Sequence, residues 1–303
     1  MTLLDALTFS RNVVTIQLVR DLGIKRIQAY ARRLGIESPL PDDLSMSLGS
    51  GVVTPMELAR VYSSFANKGI RPDLSMVREV WDATGSMVYS YFPPVTTMPD
   101  NAYNPFVSAP PPSRLRVPFR LRAATRVPAP GVPTFSQAVS RDTAFQVAYM
   151  LRNVIERGTG WRARALGRPA AGKTGTTDGN RDSWFAGFTP QYATVAWVGF
   201  DELAPLGRYE TGSRAASPIW VDYMREVHRG LPVREFAIPD SIEFRRIHAK
   251  TGAPATPLDQ KVLLVPFGPD DEIKTRGDGD APGTSDDALF DQEEDYLHSP
   301  QDW

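Results

Sequence analysis

The chain contains no cysteine. That excludes disulfides, thiolate metal sites and a cysteine nucleophile, and it leaves the redox compartment open. Histidine is scarce: His228, His248 and His298 are scattered without metal-ligand spacing, and none sits beside a candidate serine. A Ser-His-Asp triad and a histidine metal centre are therefore not expected. No run approaches the ~18 apolar residues of a membrane span. The first residues lack the charged and apolar regions of a signal peptide, so the sequence is expected to carry no export instruction of its own. No serine is followed three positions later by lysine.

What is present is ordinary in amount and uneven in placement. At 303 residues, with 42% hydrophobic and 23% charged side chains, the chain has length for a large buried core. The formal net charge of -1 conceals a split: residues 269–303 carry -10 and residues 1–268 carry +9. The basic body reads as a solvated, arginine-rich surface, with membrane headgroups or wall polymer as the alternative anionic partner. No nucleic-acid partner is expected. The tail, acidic and poor in aliphatics, is expected to be disordered.

Helical spacing runs from Leu3, Leu4 and Leu7 through Ser10-Arg11-Asn12 to Val13, Ile16, Val19 and Leu22, and again through Ile27, Tyr30, Ala31 and Leu34 to Gly35. A Ser/Gly-rich loop over 45–51 leads to Thr54-Pro55-Met56-Glu57, which reads as an N-cap, a first-turn proline and a first-turn acid. That helix is expected to stop at Gly69. Residues 77–81 and 87–92 flank Asp82-Ala83-Thr84-Gly85 as a hairpin. Eleven of the 27 prolines fall within 93–133, which marks an insertion rather than regular core. Ser140 then caps a helix over 143–157, ended by Gly158-Thr159-Gly160. Strands are expected over 170–176, 183–188 and 193–200, the last two joined through Pro190-Gln191 as an antiparallel hairpin. A helix over 218–228 places Ile219, Val221, Tyr223, Met224 and Val227 on its apolar side. Short β segments over 242–247 and 262–265 precede the tail. Helices, then an antiparallel sheet, then a closing helix make an α+β class.

Two short motifs carry chemistry. Lys173-Thr174-Gly175-Thr176, opened by Gly172 and closed by Thr177, places one ammonium and several hydroxyls on a strand. Such a strand suits a carboxylate-ended acyl substrate laid along it. The hydroxyls of Thr174, Thr176 and Thr177 fall on alternating faces, and the small residues permit close approach of another backbone. Read alone, a lysine such as Lys173 on a sheet edge is usually a solvated or aggregation-blocking charge. Ser10-Arg11-Asn12 reads either as a helix N-cap or as a proton-relaying hydroxyl beside a substrate-binding amide.

Together, and in this order, these motifs and their surroundings resemble the transpeptidase domain of bifunctional class A penicillin-binding proteins. The further blocks are Leu48-Gly49-Ser50, Val53-Thr54-Pro55-Met56-Glu57-Leu58-Ala59, Phe65-Ala66-Asn67-Lys68-Gly69, Gly158-Thr159-Gly160, Asp182-Ser183-Trp184-Phe185-Ala186-Gly187-Phe188-Thr189-Pro190 and Trp197-Val198-Gly199. The resemblance spans about 3–231 and implies the penicillin-binding-protein/serine β-lactamase-like fold, N-terminally truncated. The implied domains are a partial transpeptidase domain over 1–231, a short β extension over 232–268 and the tail over 269–303.

The activity implied is peptidoglycan D,D-transpeptidation: a serine attacks a D-Ala-D-Ala stem peptide, releases D-Ala and passes the acyl group to a neighbouring strand. Ser10 would relay the proton and Asn12 would bind the stem peptide. Lys173 would hold the Ser10 network and the substrate carboxylate. Thr174 and Thr176 would hydrogen-bond that carboxylate, Gly175 and Thr177 would complete the edge, and the Thr176 N–H would be half of an oxyanion hole. No cofactor and no metal are implied. The implied partners are stem peptides, β-lactams once the missing part is supplied, and an upstream fragment of the same enzyme. The implied place is the periplasmic face of an inner membrane. The departure is the missing Ser-x-x-Lys nucleophile element. With it, the family's glycosyltransferase domain and anchor would lie before Met1. The chain alone is then expected not to be acylated, and its uncovered apolar surface is expected to make it unstable without its other half. The alternative is a non-catalytic remnant that binds wall peptide or a partner protein.

Overall fold

The computed structural model describes residues 1–74, 77, 79–90 and 136–273. The proline-rich stretch over 93–133, the end of the expected hairpin at Phe92 and the tail from 274 lie outside the described residues. The chain divides into two compact units, Leu3–Ile242 and a smaller one formed by Met1–Thr2 with the chain from Glu243.

The larger unit begins with helices α1 (Leu3–Thr8), α2 (Asn12–Leu22), α3 (Ile24–Leu34) and α4 (Pro55–Ala66). The helical spacing expected to run through Ser10 is broken there, because Ser10 adopts a left-handed φ of 55°. Gly35, also left-handed, ends α3, and its N–H donates to the carbonyls of Ala31 and Arg32. At the start of α4, Thr54 and Glu57 form a reciprocal capping box with Pro55 in the first turn. Short strands β1 (Ile70–Arg71), β2 (Glu79–Trp81) and β3 (Met87–Ser90) follow; β2 and β3 are the expected hairpin. β4 (Ser136–Gln137) pairs with β1 and leads into α5 (Arg141–Arg157), whose first turn is capped by Ser140 Oγ accepting from Thr143 N.

The sheet that organises the unit has β5 (Ala171–Thr176), β6 (Asp182–Phe188) and β7 (Ala193–Gly199) in the order β5-β6-β7, antiparallel throughout, with β5 at an edge. Strand alternation sends Phe185 to one face and Phe188 to the other. Phe188 and Ala171 pack with Ala148, Leu151 and Val154 of α5. Phe185 packs with Trp220, Val221 and Met224 of α6 (Ser217–Val227), its ring 4.9 Å from that of Trp220. Burying side chains of this size stabilises by roughly 1.5–3 kcal/mol each. A Cβ on Gly187 would lie 2.9 Å from the Trp220 ring, so the glycine makes the room that Trp220 occupies.

Three details differ from the sequence expectation. The buried side of α6 is Trp220, Val221 and Met224, while Ile219 and Tyr223 are 54% and 55% exposed. The Ser/Gly-rich loop contains a 3-10 turn over Leu44–Leu48, and another spans Trp161–Leu166. A π-helical turn over Gly212–Ala216 precedes α6. In the smaller unit, β8 (Glu243–His248) and β9 (Val262–Phe267) form an antiparallel hairpin.

Candidate functional site

The helix α1 ends in a Schellman closure. Arg11 N donates to Ala6 O at 2.8 Å and Ser10 N to Leu7 O at 3.3 Å, which puts Ser10 at the left-handed position usually held by glycine. A residue with a Cβ there costs roughly 1–2 kcal/mol. Such strain persists only where the surroundings fix it, and α5 provides that fixing. Arg157 Nη2 donates to Asp5 Oδ1 at 2.7 Å, and its guanidinium lies 5.6 Å from the Phe9 ring centroid. Gly158 presses against Thr8, where an added Cβ would fall 2.2 Å from the carbonyl oxygen, and Thr159 N donates to that same oxygen at 3.3 Å. Ser10 is therefore not the N-cap of α2. That position is Arg11, and the exposed Asn12 is the first helical residue.

The strand β5 brings Lys173 to this turn. Lys173 Nζ donates to Ser10 Oγ at 3.0 Å and to Thr174 O at 3.0 Å. Among the described residues no carboxylate pairs with it. Burial without a counter-charge lowers its pKa from 10.5 to about 8. The site thus holds a cation with two neutral acceptors, an arrangement that favours an incoming anion. Asn12 makes no hydrogen bond with its side chain among the described residues, so the fold brings Ser10 and Lys173 together and leaves the Asn12 amide open to solvent.

The hydroxyls of β5 are differently employed. Thr174 Oγ1 and Thr159 Oγ1 are 3.0 Å apart, tying the strand to the loop that holds Thr8. Thr176 Oγ1 accepts from Gly212 N at 3.0 Å, which leaves its own proton available to a ligand. Thr177 Oγ1 accepts from Asp182 N at 2.8 Å and donates to Asp182 Oδ2 at 3.3 Å, closing the turn into β6. The close backbone approach expected at Gly175 is made by the chain itself: a Cβ on Gly212 would fall 2.4 Å from both Gly175 O and Trp184 O. Asp182 Oδ1 also accepts from Trp197 Nε1 at 2.8 Å.

Thr159 and Gly212 were not singled out by sequence reasoning. Gly158-Thr159-Gly160 was read only as a helix stop and a family block, and nothing in the pattern around Gly212 announces that it lies on β5. The described residues contain no cluster of three or more potential metal ligands and no helix long and apolar enough to cross a membrane.

Comparison with known proteins identifies the family and the fold. The family model described as the penicillin binding protein transpeptidase domain matches residues 1–225. Penicillin-binding protein 1A of Pseudomonas aeruginosa is 36% identical over 265 residues, covering 84% of this chain and 32% of that protein. Penicillin-binding protein 1A of Neisseria lactamica is 35% identical over 244 residues, covering 80% of this chain and 26% of that protein. The chain thus spans about a third or less of these relatives. The crystal structure of penicillin-binding protein 1A from Haemophilus influenzae superposes with a TM-score of 0.71 at 26% identity, covering 91% of this chain and 41% of that one. PonA1 from Mycobacterium tuberculosis, solved in complex with penicillin V, shares the fold with a TM-score of 0.59 at 22% identity over 78% of this chain and 59% of that one. The chain belongs to the penicillin-binding protein transpeptidase domain family, in its class A, 1A-like branch.

Proposed function

We propose that the chain is the Lys173-bearing part of a peptidoglycan D,D-transpeptidase whose nucleophile lies in polypeptide outside these 303 residues. The observation that carries this reading is the Lys173 ammonium 3.0 Å from Ser10 Oγ, with no carboxylate beside it among the described residues. The substrate is a stem peptide ending in D-Ala-D-Ala, and β-lactams acylate the same assembled site. Its terminal carboxylate lies against Lys173, Thr174 and Thr176 along β5, beside Gly175 and Thr177, while Asn12 binds an amide of the peptide. When the serine attacks the carbonyl, Ser10 passes the proton toward the departing D-Ala amine, and Lys173 polarises Ser10 throughout. The Thr176 N–H stabilises the developing oxyanion, a contribution worth about 3–4 kcal/mol of barrier.

The domain organisation follows this reading: a partial transpeptidase domain over 1–231, a β extension over 232–268 and an acidic tail over 269–303. A glycosyltransferase domain, a membrane anchor and a periplasmic location belong to the whole enzyme. Val13, 66% exposed, with Leu18 and Leu22 also exposed on α2, supports a further segment covering this face.

Covalent labelling with a fluorescent penicillin tests the proposal. The chain alone is expected to remain unlabelled and to become part of a labelled complex when mixed with the missing portion of the domain. In that mixture, Lys173→Ala and Ser10→Ala are expected to reduce labelling by several orders of magnitude. Label on the chain alone would refute the external nucleophile. Absence of label in the mixture would leave the non-catalytic binding module as the better reading.

A further inference from the structure

Resting on the reading above, we propose that Arg208, Tyr209 and Arg214 form a second anion-binding subsite, which takes a side-chain carboxylate of the same peptide beyond the Thr176 end of β5.

The cluster places two like charges on one ring. The guanidinium carbons of Arg208 and Arg214 lie 5.4 Å and 5.7 Å from the Tyr209 ring centroid. One aromatic ring therefore gathers two cations that repel each other, each held by a cation–π attraction. Neither has an ion-pair partner among the described residues. Some exposed arginines are matched, as Arg225 is with Asp222, Arg229 with Glu226 and Arg245 with Glu243. Glu210 stands between Tyr209 and Thr211, yet it makes no ion pair with either arginine among the described residues. Tyr209 is 57% exposed, so the ring and its two cations face solvent.

The cluster is also built onto the candidate site. Asn180 Nδ2, in the turn after β5, donates to Gly207 O at 3.1 Å and Arg208 O at 2.9 Å, and Leu206 N donates back to Asn180 O at 2.8 Å. Ser183, paired with Thr176 across the sheet, donates from Oγ to Glu210 O at 2.5 Å. Gly212 N donates to Thr176 Oγ1 at 3.0 Å, and Arg214 N closes the turn by donating to Thr211 O at 2.8 Å. The segment 206–214 is thus anchored at both ends to the end of the strand that carries Lys173. Its last residues, Gly212 to Arg214, lie in the π-helical turn Gly212–Ala216, a geometry often found at functional sites.

The chemistry that fits is a planar anion with room for two forks. Each guanidinium presents donors suited to a carboxylate, and two cations on one ring favour a carboxylate over a neutral amide. A peptide already held by its terminal carboxylate would meet this second pair of cations through a side chain, so the cluster sets specificity rather than performing the reaction.

The test uses the full chain and two sets of N-acetylated peptides ending in D-Ala-D-Ala. They are identical except for glutamate or glutamine at the third or fourth residue from the carboxyl end. Binding is followed by NMR shifts at Thr174 and Thr176, which report the terminal-carboxylate site, and by the affinity ratio between the two sets. A glutamate peptide is expected to bind roughly three- to tenfold tighter than its glutamine twin at low salt, and the ratio should shrink as salt rises. In the Arg208→Gln/Arg214→Gln double variant the ratio is expected to fall to one, with glutamine-peptide binding unchanged. Arg229→Gln, which removes a paired surface arginine, is expected to leave the ratio intact. Equal affinities with shifts at Thr174 and Thr176 would overturn the subsite while leaving the transpeptidase reading standing. A preference that survives in the double variant would overturn it too. No shift at Thr174 and Thr176 with any peptide would overturn both.

Discussion

Lys173 Nζ donates to Ser10 Oγ at 3.0 Å, joining an edge strand to the turn after the first helix across 163 residues of sequence. The ammonium is half-buried and meets no carboxylate among the described residues, and burial lowers its pKa from 10.5 to about 8. The unfolded chain therefore binds this proton more tightly, so stability rises with pH between about 8 and 10.5 and carries a penalty below that window. Lys173→Met is expected to stabilise the chain at pH 7 by up to about 3 kcal/mol, with the gain vanishing near pH 10.5. Denaturant titrations across pH check this. A second check is the NMR titration of Lys173 in chain carrying ¹³C-labelled lysine, which should show a midpoint near 8. A Lys173 midpoint at its ordinary value would overturn the electrostatic account.

Ser10 sits where helices usually place glycine. Ser10→Gly removes the Cβ from a left-handed φ of 55° and is expected to stabilise by about 1 kcal/mol or less. Labelling by penicillin in the complemented domain is expected to fall with it. Stability and activity moving in opposite directions would show that the strained conformation serves the hydroxyl. Thermal melts and labelling of the same preparation decide it, and a loss of stability would count against the strain.

Thr159 links the Ser10 turn to β5 through its backbone N–H to Thr8 O and its hydroxyl to Thr174. Thr159→Val keeps the shape and removes the hydroxyl bond. It is expected to cost about 1 kcal/mol and to loosen the Lys173–Ser10 register, while Thr159→Ser retains both. Gly158→Ala is more severe, because its Cβ would collide with the Thr8 carbonyl at 2.2 Å, a backbone atom that cannot swing aside. A cost of about 3 kcal/mol or more is expected. Urea unfolding of the three variants measures the order.

The parts of this architecture written in local pattern were legible in the sequence. The capping box at Thr54 and Glu57, the Ser140 cap and the strands around Lys173 all follow from residues within a few positions of one another. The break at Ser10 was not, because helical spacing continues on both sides of it and only a closure by Arg11 N and Ser10 N reveals the left-handed turn. The buried side of α6 was misjudged at Ile219 and Tyr223 for a related reason. Periodicity alone does not say which of two adjacent apolar stripes meets Phe185, and the larger Trp220 does. Of the site, the motifs carrying Ser10 and Lys173 were legible as types, and the structure brings those two together. The roles of Thr159 and Gly212 depend on approaches between distant segments, which no local pattern encodes.

Glu57 is the anchor of the loop that precedes α4. One carboxylate oxygen accepts from Glu37 N at 2.7 Å and Ser38 N at 2.6 Å. The other accepts from Thr54 N at 2.7 Å, Thr54 Oγ1 at 2.9 Å and Ser38 Oγ at 2.8 Å. Burial acts to raise its pKa, but these bonds together lower it from 4.5 to about 2. The unfolded chain binds the proton more tightly, so this contribution is complete above pH 4.5 and is lost as pH falls toward 2. Glu57→Gln is expected to cost about 2–3 kcal/mol at pH 7 and to flatten the acid limb of the stability curve. An unchanged acid limb in that variant would sink the assignment.

His228 locks the opposite end of the sheet. Its Nδ1 donates to Met224 O at 2.6 Å, since a carbonyl only accepts, so Nε2 is the acceptor from Thr189 Oγ1 at 2.9 Å. Thr189 Oγ1 in turn accepts from Gln191 N and Tyr192 N at 3.1 Å each, which fixes the turn between β6 and β7. Burial, helped by the nearby Arg168 charge and opposed by the bond to Met224, lowers the His228 pKa below its ordinary 6.5. The neutral ring is what the fold accepts. The unfolded chain takes up the proton first, so stability is full above pH 6.5 and declines as pH falls from there toward the lower folded value. His228→Phe removes the titration and strands the Thr189 hydroxyl proton, while Met224 O keeps its bond from the residue 228 backbone N–H. It is expected to cost about 1–3 kcal/mol at pH 7, with a shallower loss as pH falls below 6.5 than the unsubstituted chain. Guanidinium titrations at half-unit pH steps measure both, and a variant that loses stability just as steeply over that interval would show that His228 is not the titrating group.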